Sequence, residues 1–165
     1  MFNETVKCIV KNGNNEPKKI TIKQAYEMPD SKYGFRVYHE GGFVEGVPVR
    51  EPISDHIMYR LTGGSGLEFV VTEDHTHLTL DGEKRTDELN WKDFLTINFT
   101  ATKEEGWDDK VDYYVKINNI EKLKNYEGKY LYSFIMKDDK DPHFTLANGL
   151  VTHDNSLILD RTIIE

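Results

Sequence analysis

The feature that most constrains the fold is a repeated punctuation. Short apolar or alternating runs are each closed within a few residues by Gly, Asn, Asp or Pro. Cys8-Ile9-Val10 runs into Asn12-Gly13-Asn14-Asn15-Glu16-Pro17, and residues 18–23 resume with alternation at Ile20 and Ile22. The pattern continues through residues 35–39, 46–50, 56–61, 67–72, 78–80, 93–99, 113–117, 120–123 and 128–136. It ends in a hairpin over 144–152 around Asn148-Gly149. Runs this short, with β-branched and aromatic residues at period two, place side chains on alternate faces of a sheet, and the turn residues return the chain. Residues 24–28 read as one helical turn stopped by Pro29. Pro48, inside its run, marks an edge or irregular strand. The acidic stretch 100–112 reads as a loop. The expectation is an all-β domain with one or two short helices.

Residues 18–27 and 83–91 share a plan: an Asn-Gly or Asp-Gly turn, charged residues with a Thr, then a short helical piece. This points to an internal duplication. At 165 residues the chain is expected to form one domain, monomeric. Net charge of -8 and a pI of 5.3 exclude a broad basic surface, so no nucleic-acid partner is expected. Mean hydropathy of -0.63, with no run approaching a membrane span, argues for no membrane partner. Residues 1–7 read as a polar leader without the long apolar region of a signal peptide. Cys8 is the single cysteine, which excludes an internal disulfide and makes the reducing cytoplasm the expected compartment.

Chemistry concentrates at the end of the chain. An apolar run leads into His153-Asp154-Asn155-Ser156, with His143 ten positions earlier than His153. An Asn–Ser bond needs no external nucleophile, because the Asn side-chain amide can attack its own backbone carbonyl and expel the next amine. A nearby His suits the proton transfer. Upstream, Thr72-Glu73-Asp74-His75 sits where a strand ends, and His77 shares a strand face with His75, a spacing a metal pair could use. Without an evident third ligand no metal and no cofactor is expected. Each feature also has a plain reading: Cys8 as an inert buried thiol, Thr72 and His75 as a turn, and Asn155 as a loop residue.

Together and in this order, these residues resemble the protein-splicing (Hint) family, the inteins, over nearly the whole chain. The resemblance rests on Cys8 before a strand and hairpin, on Thr72 and His75 with Gly82 and Leu89 following, on Tyr132 and His143-Phe144, and on Asn155-Ser156. It implies a horseshoe-like Hint fold with pseudo-twofold duplication, and a mini-intein from Cys8 to Asn155 without a homing endonuclease. Residues 1–7 and 156–165 would be flanking extein stubs and the only partners. It implies autocatalytic splicing. The Cys8 thiol takes the acyl group of Lys7, helped by Thr72 and His75, and Ser156 takes it over. Asn155 then cyclises with His143, His153 or Asp154 assisting, and Lys7 becomes joined to Ser156. This is a single-turnover self-processing reaction. Two departures from the family pattern stand out: Asp154 precedes the terminal Asn where His is usual, and Ser133 follows Tyr132 where Asp is usual. Asp138, Asp139, Asp141 and Asp154 are candidate substitutes for that Asp. The alternatives are a Hint domain limited to self-cleavage and a non-catalytic β-rich binding module.

Overall fold

The computed structural model describes residues 1–12, 16–29, 35–39, 41–54, 56–98 and 112–155. The expected loop at 100–112 falls almost wholly outside them, as does Ser156. The described strands are β1 (Lys7–Lys11), β2 (Lys18–Thr21), β3 (Phe35–His39), β4 (Gly42–Pro52), β5 (Met58–Gly63), β6 (Glu68–Thr72), β7 (Thr76–Thr79), β8 (Gly82–Arg85), β9 (Phe94–Asn98), β10 (Asp112–Lys122), β11 (Tyr130–Met136), β12 (His143–Thr145) and β13 (Val151–His153). One α-helix, α1 (Ile22–Glu27), and two single 3-10 turns complete the described elements. The protein is all-β, as its turn chemistry requires. No helix among the described residues is long and apolar enough to cross a membrane.

Every described strand pairing is antiparallel. One sheet has the order β11-β4-β3-β1-β2. The other has the order β12-β13-β7-β9-β10-β5-β6, with β8 paired to β7. Bridges between Phe2 and both Val71 and Tyr132, and between Cys8 and Leu146, stitch the two sheets together. Between them lies a core that includes Phe2, Cys8, Val37, Leu61, Val71, Ile97, Phe134, Phe144 and Leu150.

The internal duplication is visible in the returns of two hairpins. β2 feeds α1, whose N-cap Thr21 accepts from the Gln24 N–H while the Gln24 side chain accepts from the Thr21 N–H. β8 feeds a 3-10 turn at Thr86–Glu88 in which the Glu88 carboxylate accepts from the Arg85 N–H. Gly82, at φ 109°, makes the tight turn into β8 that a side chain would strain.

Three expectations change. The runs at 113–117 and 120–123 are one strand, β10, interrupted by a bulge where its register with β5 shifts between Ile117 and Asn119. β4 lies inside its sheet, yet Pro48 pairs only towards β11, because β3 has already left β4 at Gly46. The missing N–H of Pro48 therefore costs no ladder bond on the β3 side.

The third change matters most: residues 1–7, expected as a polar leader, pack into the fold. Met1 is 2% exposed and Phe2 is fully buried, and both Asn3 and Val6 are also buried. Phe2 exchanges backbone hydrogen bonds with Tyr132 of β11, at 2.9 and 2.8 Å. Burying a Phe side chain is worth about 1.5–3 kcal/mol, so this segment is part of the fold's cohesion.

Candidate functional site

β6 ends at Thr72, and the chain turns through Glu73 and Asp74 before β7. That turn presents Thr72 and His75 side by side to the nitrogen of residue 1. The Met1 amine donates to Thr72 Oγ1 at 2.9 Å and lies 3.0 Å from His75 Nδ1. The backbone repeats the contact, with the Thr72 N–H donating to the Met1 carbonyl at 3.0 Å. The Thr72 hydroxyl in turn donates to Asp74 Oδ1 at 2.8 Å. The far side of His75 is fixed by Thr152 of β13, whose Oγ1 is 2.5 Å from Nε2, and the Phe2 ring packs 4.5 Å from the imidazole. Burial, then the charge of the residue-1 amine and of His77 and His153, holds His75 well below the usual His range. The neutral ring therefore donates from Nε2 to Thr152 and accepts at Nδ1 from the amine. Burial likewise lowers the Met1 amine to about 6, against the opposing pull of Asp74, Glu51 and Glu73.

The other chain end arrives at the same strand. The Asn155 N–H donates to the Phe134 carbonyl at 2.9 Å, and the Asp154 N–H to the Pro142 carbonyl at 2.8 Å. Tyr132, which holds Phe2, and Phe134, which holds Asn155, are two residues apart on β11, about 7 Å along a strand. Between them is Ser133, fully buried, with its hydroxyl making no hydrogen bond among the described residues. Asp154 is buried, and its Oδ2 accepts from the Met136 N–H at 2.7 Å. It locks the end of the chain onto β11. His153 donates from Nδ1 to the Asp154 carbonyl at 2.8 Å. His143, directly across from His153 in the β12–β13 pair, lies 2.8 Å from Asp141 and 2.9 Å from Glu83. Of the proposed Asp substitutes, Asp154 and Asp141 join this cluster. Asp138 is spent on the Lys140 N–H.

The geometry brings together Thr72, His75, His143, His153, Asp154 and Asn155. Cys8 is not part of that group. It is fully buried as the second residue of β1, paired with Ile20 on one side and bridged to Leu146 on the other. Its thiol is turned to the Ile20 carbonyl at 3.4 Å, and burial pushes its pKa far up, away from the thiolate a nucleophile needs. The Lys7 carbonyl is a sheet acceptor for the Ala147 N–H at 3.0 Å. Cys8 and the Lys7–Cys8 bond thus lie apart from the Thr72–His75 clamp, which holds the nitrogen of residue 1. Nε2 of His77 is 2.8 Å from Thr86 Oγ1, while its buried Nδ1 makes no hydrogen bond among the described residues. Sequence reading missed Thr152, although it sits beside His153. It also missed Glu83 and His39, whose Nε2 is 2.8 Å from Asp141.

The fold has counterparts among solved structures. The transcription factor IIB Mvu mini-intein aligns with a TM-score of 0.69 at 18% identity, over 92% of this chain and 98% of that one. An intein from a hyperthermophile aligns at 0.67 with 23% identity, over 92% and 98%. The DnaB intein from Synechocystis sp. PCC 6803 aligns at 0.63 with 15% identity, over 90% and 96%. This chain has the intein fold. Near-complete coverage of both chains leaves no room for an inserted endonuclease domain, which fits a mini-intein. Among curated proteins, the Replication factor C small subunit of Methanocaldococcus jannaschii is 28% identical over 152 residues, 90% of this chain but 8% of that protein. No family model matches.

Proposed function

We propose that this intein-fold chain is a self-processing, protein-splicing domain acting on the peptide bonds at its own two ends. The observation that carries the reading is the anchoring of Phe2 and Asn155 two residues apart on β11, with the residue-1 nitrogen clamped by Thr72 and His75. When a segment is joined to Met1, that nitrogen is the leaving group of the upstream bond. Thr72 fixes it, and the weakly basic imidazole of His75, once protonated, is a strong acid towards it. The match to a small share of a much longer protein supports a domain carried within a longer host chain.

At the downstream end the Asn155 side-chain nitrogen attacks the Asn155 carbonyl carbon and the bond to Ser156 breaks. The amide gives up one proton and the Ser156 amine gains one, leaving a terminal succinimide. His153 and His143 are the candidates to move that proton, and Asp154 anchors the chain end through the Met136 N–H. For ligation, the Ser156 hydroxyl takes the upstream acyl group as an ester, which rearranges to a peptide bond once Asn155 has cyclised. Residues 156–165 are then the downstream flank, and residues 1–7 belong to the domain itself.

A second reading, self-cleavage without ligation, has a specific observation in its favour. The thioether of Met1 offers no acyl-accepting atom at the clamped position, and Ser133 lacks the carboxylate usual there. Fusing one reporter ahead of Met1 and another after Glu165 separates the readings. Joined reporters mean splicing, separate reporters mean cleavage alone, and an intact fusion that Asn155→Ala does not alter rejects both.

A further inference from the structure

We propose that His77 and Thr86 form a positioning pair that aims His75 at the residue-1 nitrogen; this role rests on the processing reading above. The two halves of the internal duplication supply the argument. In the first, Lys7 lies opposite Thr21 and Cys8 opposite Ile20, and the Ile22 N–H returns to the Val6 carbonyl at 3.1 Å. In the second, Thr76 lies opposite Arg85 and His77 opposite Lys84, and the Thr86 N–H returns to the His75 carbonyl at 2.9 Å. His75 therefore stands where Val6 stands, His77 where Cys8 stands, and Thr86 where Ile22 stands. Cys8, Ile22, His77 and Thr86 are all buried. In the first half these inward positions hold Cys8 and Ile22, packed in the apolar core. The fold thus does not need a polar pair there. It has one only in the half that carries the Thr72–His75 clamp.

The pair grips His75 at both its backbone and its ring. The Thr86 hydroxyl donates to the His75 carbonyl at 3.4 Å, so its oxygen accepts from the His77 Nε2–H at 2.8 Å. The next residue, Asp87, donates its N–H to the Glu73 carbonyl at 3.1 Å. Both ends of the clamp turn are tied in this way to the 3-10 turn at Thr86–Glu88. The His77 ring packs edge-on against the His75 ring, 5.1 Å away. Phe69 lies 5.8 Å from His77, Phe2 lies 4.5 Å from His75, and the two Phe rings are 6.2 Å apart. In this close-packed set of four rings, His75 cannot turn without displacing a neighbour. The arrangement carries a penalty. With Nε2–H given to Thr86, the buried Nδ1 of His77 keeps a lone pair with no hydrogen bond among the described residues. Burial keeps that ring neutral, pulling its pKa down to about 3. An unmatched buried acceptor destabilises a fold, so an apolar pair would serve stability better.

The test uses the full chain with a reporter fused ahead of residue 1 and Met1→Cys to supply an acyl acceptor. Thiol-induced loss of the reporter reads the upstream bond, and release of residues 156–165 reads the downstream one. His77→Leu combined with Thr86→Val makes the pair apolar, as it is in the first half. The combined variant should slow upstream cleavage about 100-fold, the scale of a small misplacement of a catalytic group. Downstream release should be unchanged, and the urea midpoint equal or higher, since both partners are replaced by apolar groups. Each single change should slow upstream cleavage nearly as much as both together, because they break one shared contact. His77→Gln, whose amide nitrogen can take the place of Nε2, should keep most of the upstream rate. Upstream cleavage at the parental rate in the combined variant overturns the proposal. So does a slowing that comes with a lower urea midpoint and that His77→Gln shares, which marks a structural role.

A second measurement does not depend on processing. In the full chain carrying Asn155→Ala, with its own Met1 and isotope-labelled histidine, nitrogen NMR of His75 Nδ1 reports its hydrogen bond with the residue-1 amine. That signal should move towards an unpaired imidazole nitrogen in the combined variant and stay in place in His77→Gln. An unmoved signal in the combined variant overturns the positioning role. If no fusion is cleaved while the signal moves as expected, the processing reading fails and the positioning pair stands.

Discussion

Met1 and His75 are 74 positions apart in sequence, yet the residue-1 nitrogen lies 3.0 Å from Nδ1 of His75, inside a buried pocket closed by Phe2. A motif that would otherwise be a strand-end turn thereby acquires a target. Asn155 is anchored at Phe134, two residues along β11 from the Tyr132 that pairs with Phe2.

The clamp makes stability depend on pH. The folded-state pKa of the Met1 amine is depressed from 8.0 to about 6. In the unfolded chain the amine is protonated below pH 8, while in the folded chain it stays neutral until about pH 6. The unfolded state therefore binds more protons in this window, and stability rises with pH. Two units correspond to about 2–3 kcal/mol, fully present above pH 8 and lost as pH falls to 6. His75 and His77, also depressed by burial, add to the loss below their ordinary value of 6.5. Urea midpoints at pH 6, 7 and 8 should rise in that order. A flat profile would mean that the amine is not buried.

Cys8→Ala should leave downstream release intact. It removes one buried sulfur from β1 and should cost about 1 kcal/mol in denaturant unfolding. If the variant is folded but no longer releases residues 156–165, Cys8 has a chemical role that its position in the sheet does not explain.

With a reporter fused ahead of residue 1, Met1→Cys should create thiol-sensitive cleavage at that bond. The new thiol would sit where Thr72 and His75 already hold the nitrogen. Adding hydroxylamine or dithiothreitol should free the reporter from Met1→Cys and not from the parent. Equal behaviour of the two would place the scissile bond elsewhere.

Thr152→Val removes the acceptor that sets the His75 tautomer. Leaving the buried Nε2–H unpaired costs about 1–3 kcal/mol. In the Met1→Cys background, upstream cleavage should slow while downstream release persists. Equal loss at both ends would indicate a folding defect rather than a tautomer effect, and circular dichroism would show it.

The all-β architecture was legible because turn chemistry is local: Asp81-Gly82 and Asn148-Gly149 announce their hairpins without reference to the rest of the chain. Thr72, His75 and Asn155 were legible by residue type and order. What each of them faces was not, because that depends on long-range register. Phe2 bridging Val71 and Tyr132 puts residue 1, and not Cys8, in the clamp. Nothing in the first seven residues signals this except the apolar Met1, Phe2 and Val6, which a polar reading passes over. The Glu83–His143–His153 group was equally hidden, since it exists only once β8, β12 and β13 lie side by side.

The most direct test of the central claim is intact mass of the purified chain followed over time under reducing conditions, beside Asn155→Ala. The account predicts a growing species that spans Met1 to Asn155, one water lighter than the free acid, together with the peptide 156–165, and neither in the variant. A full-length mass that never changes, or the same fragments from Asn155→Ala, would contradict it.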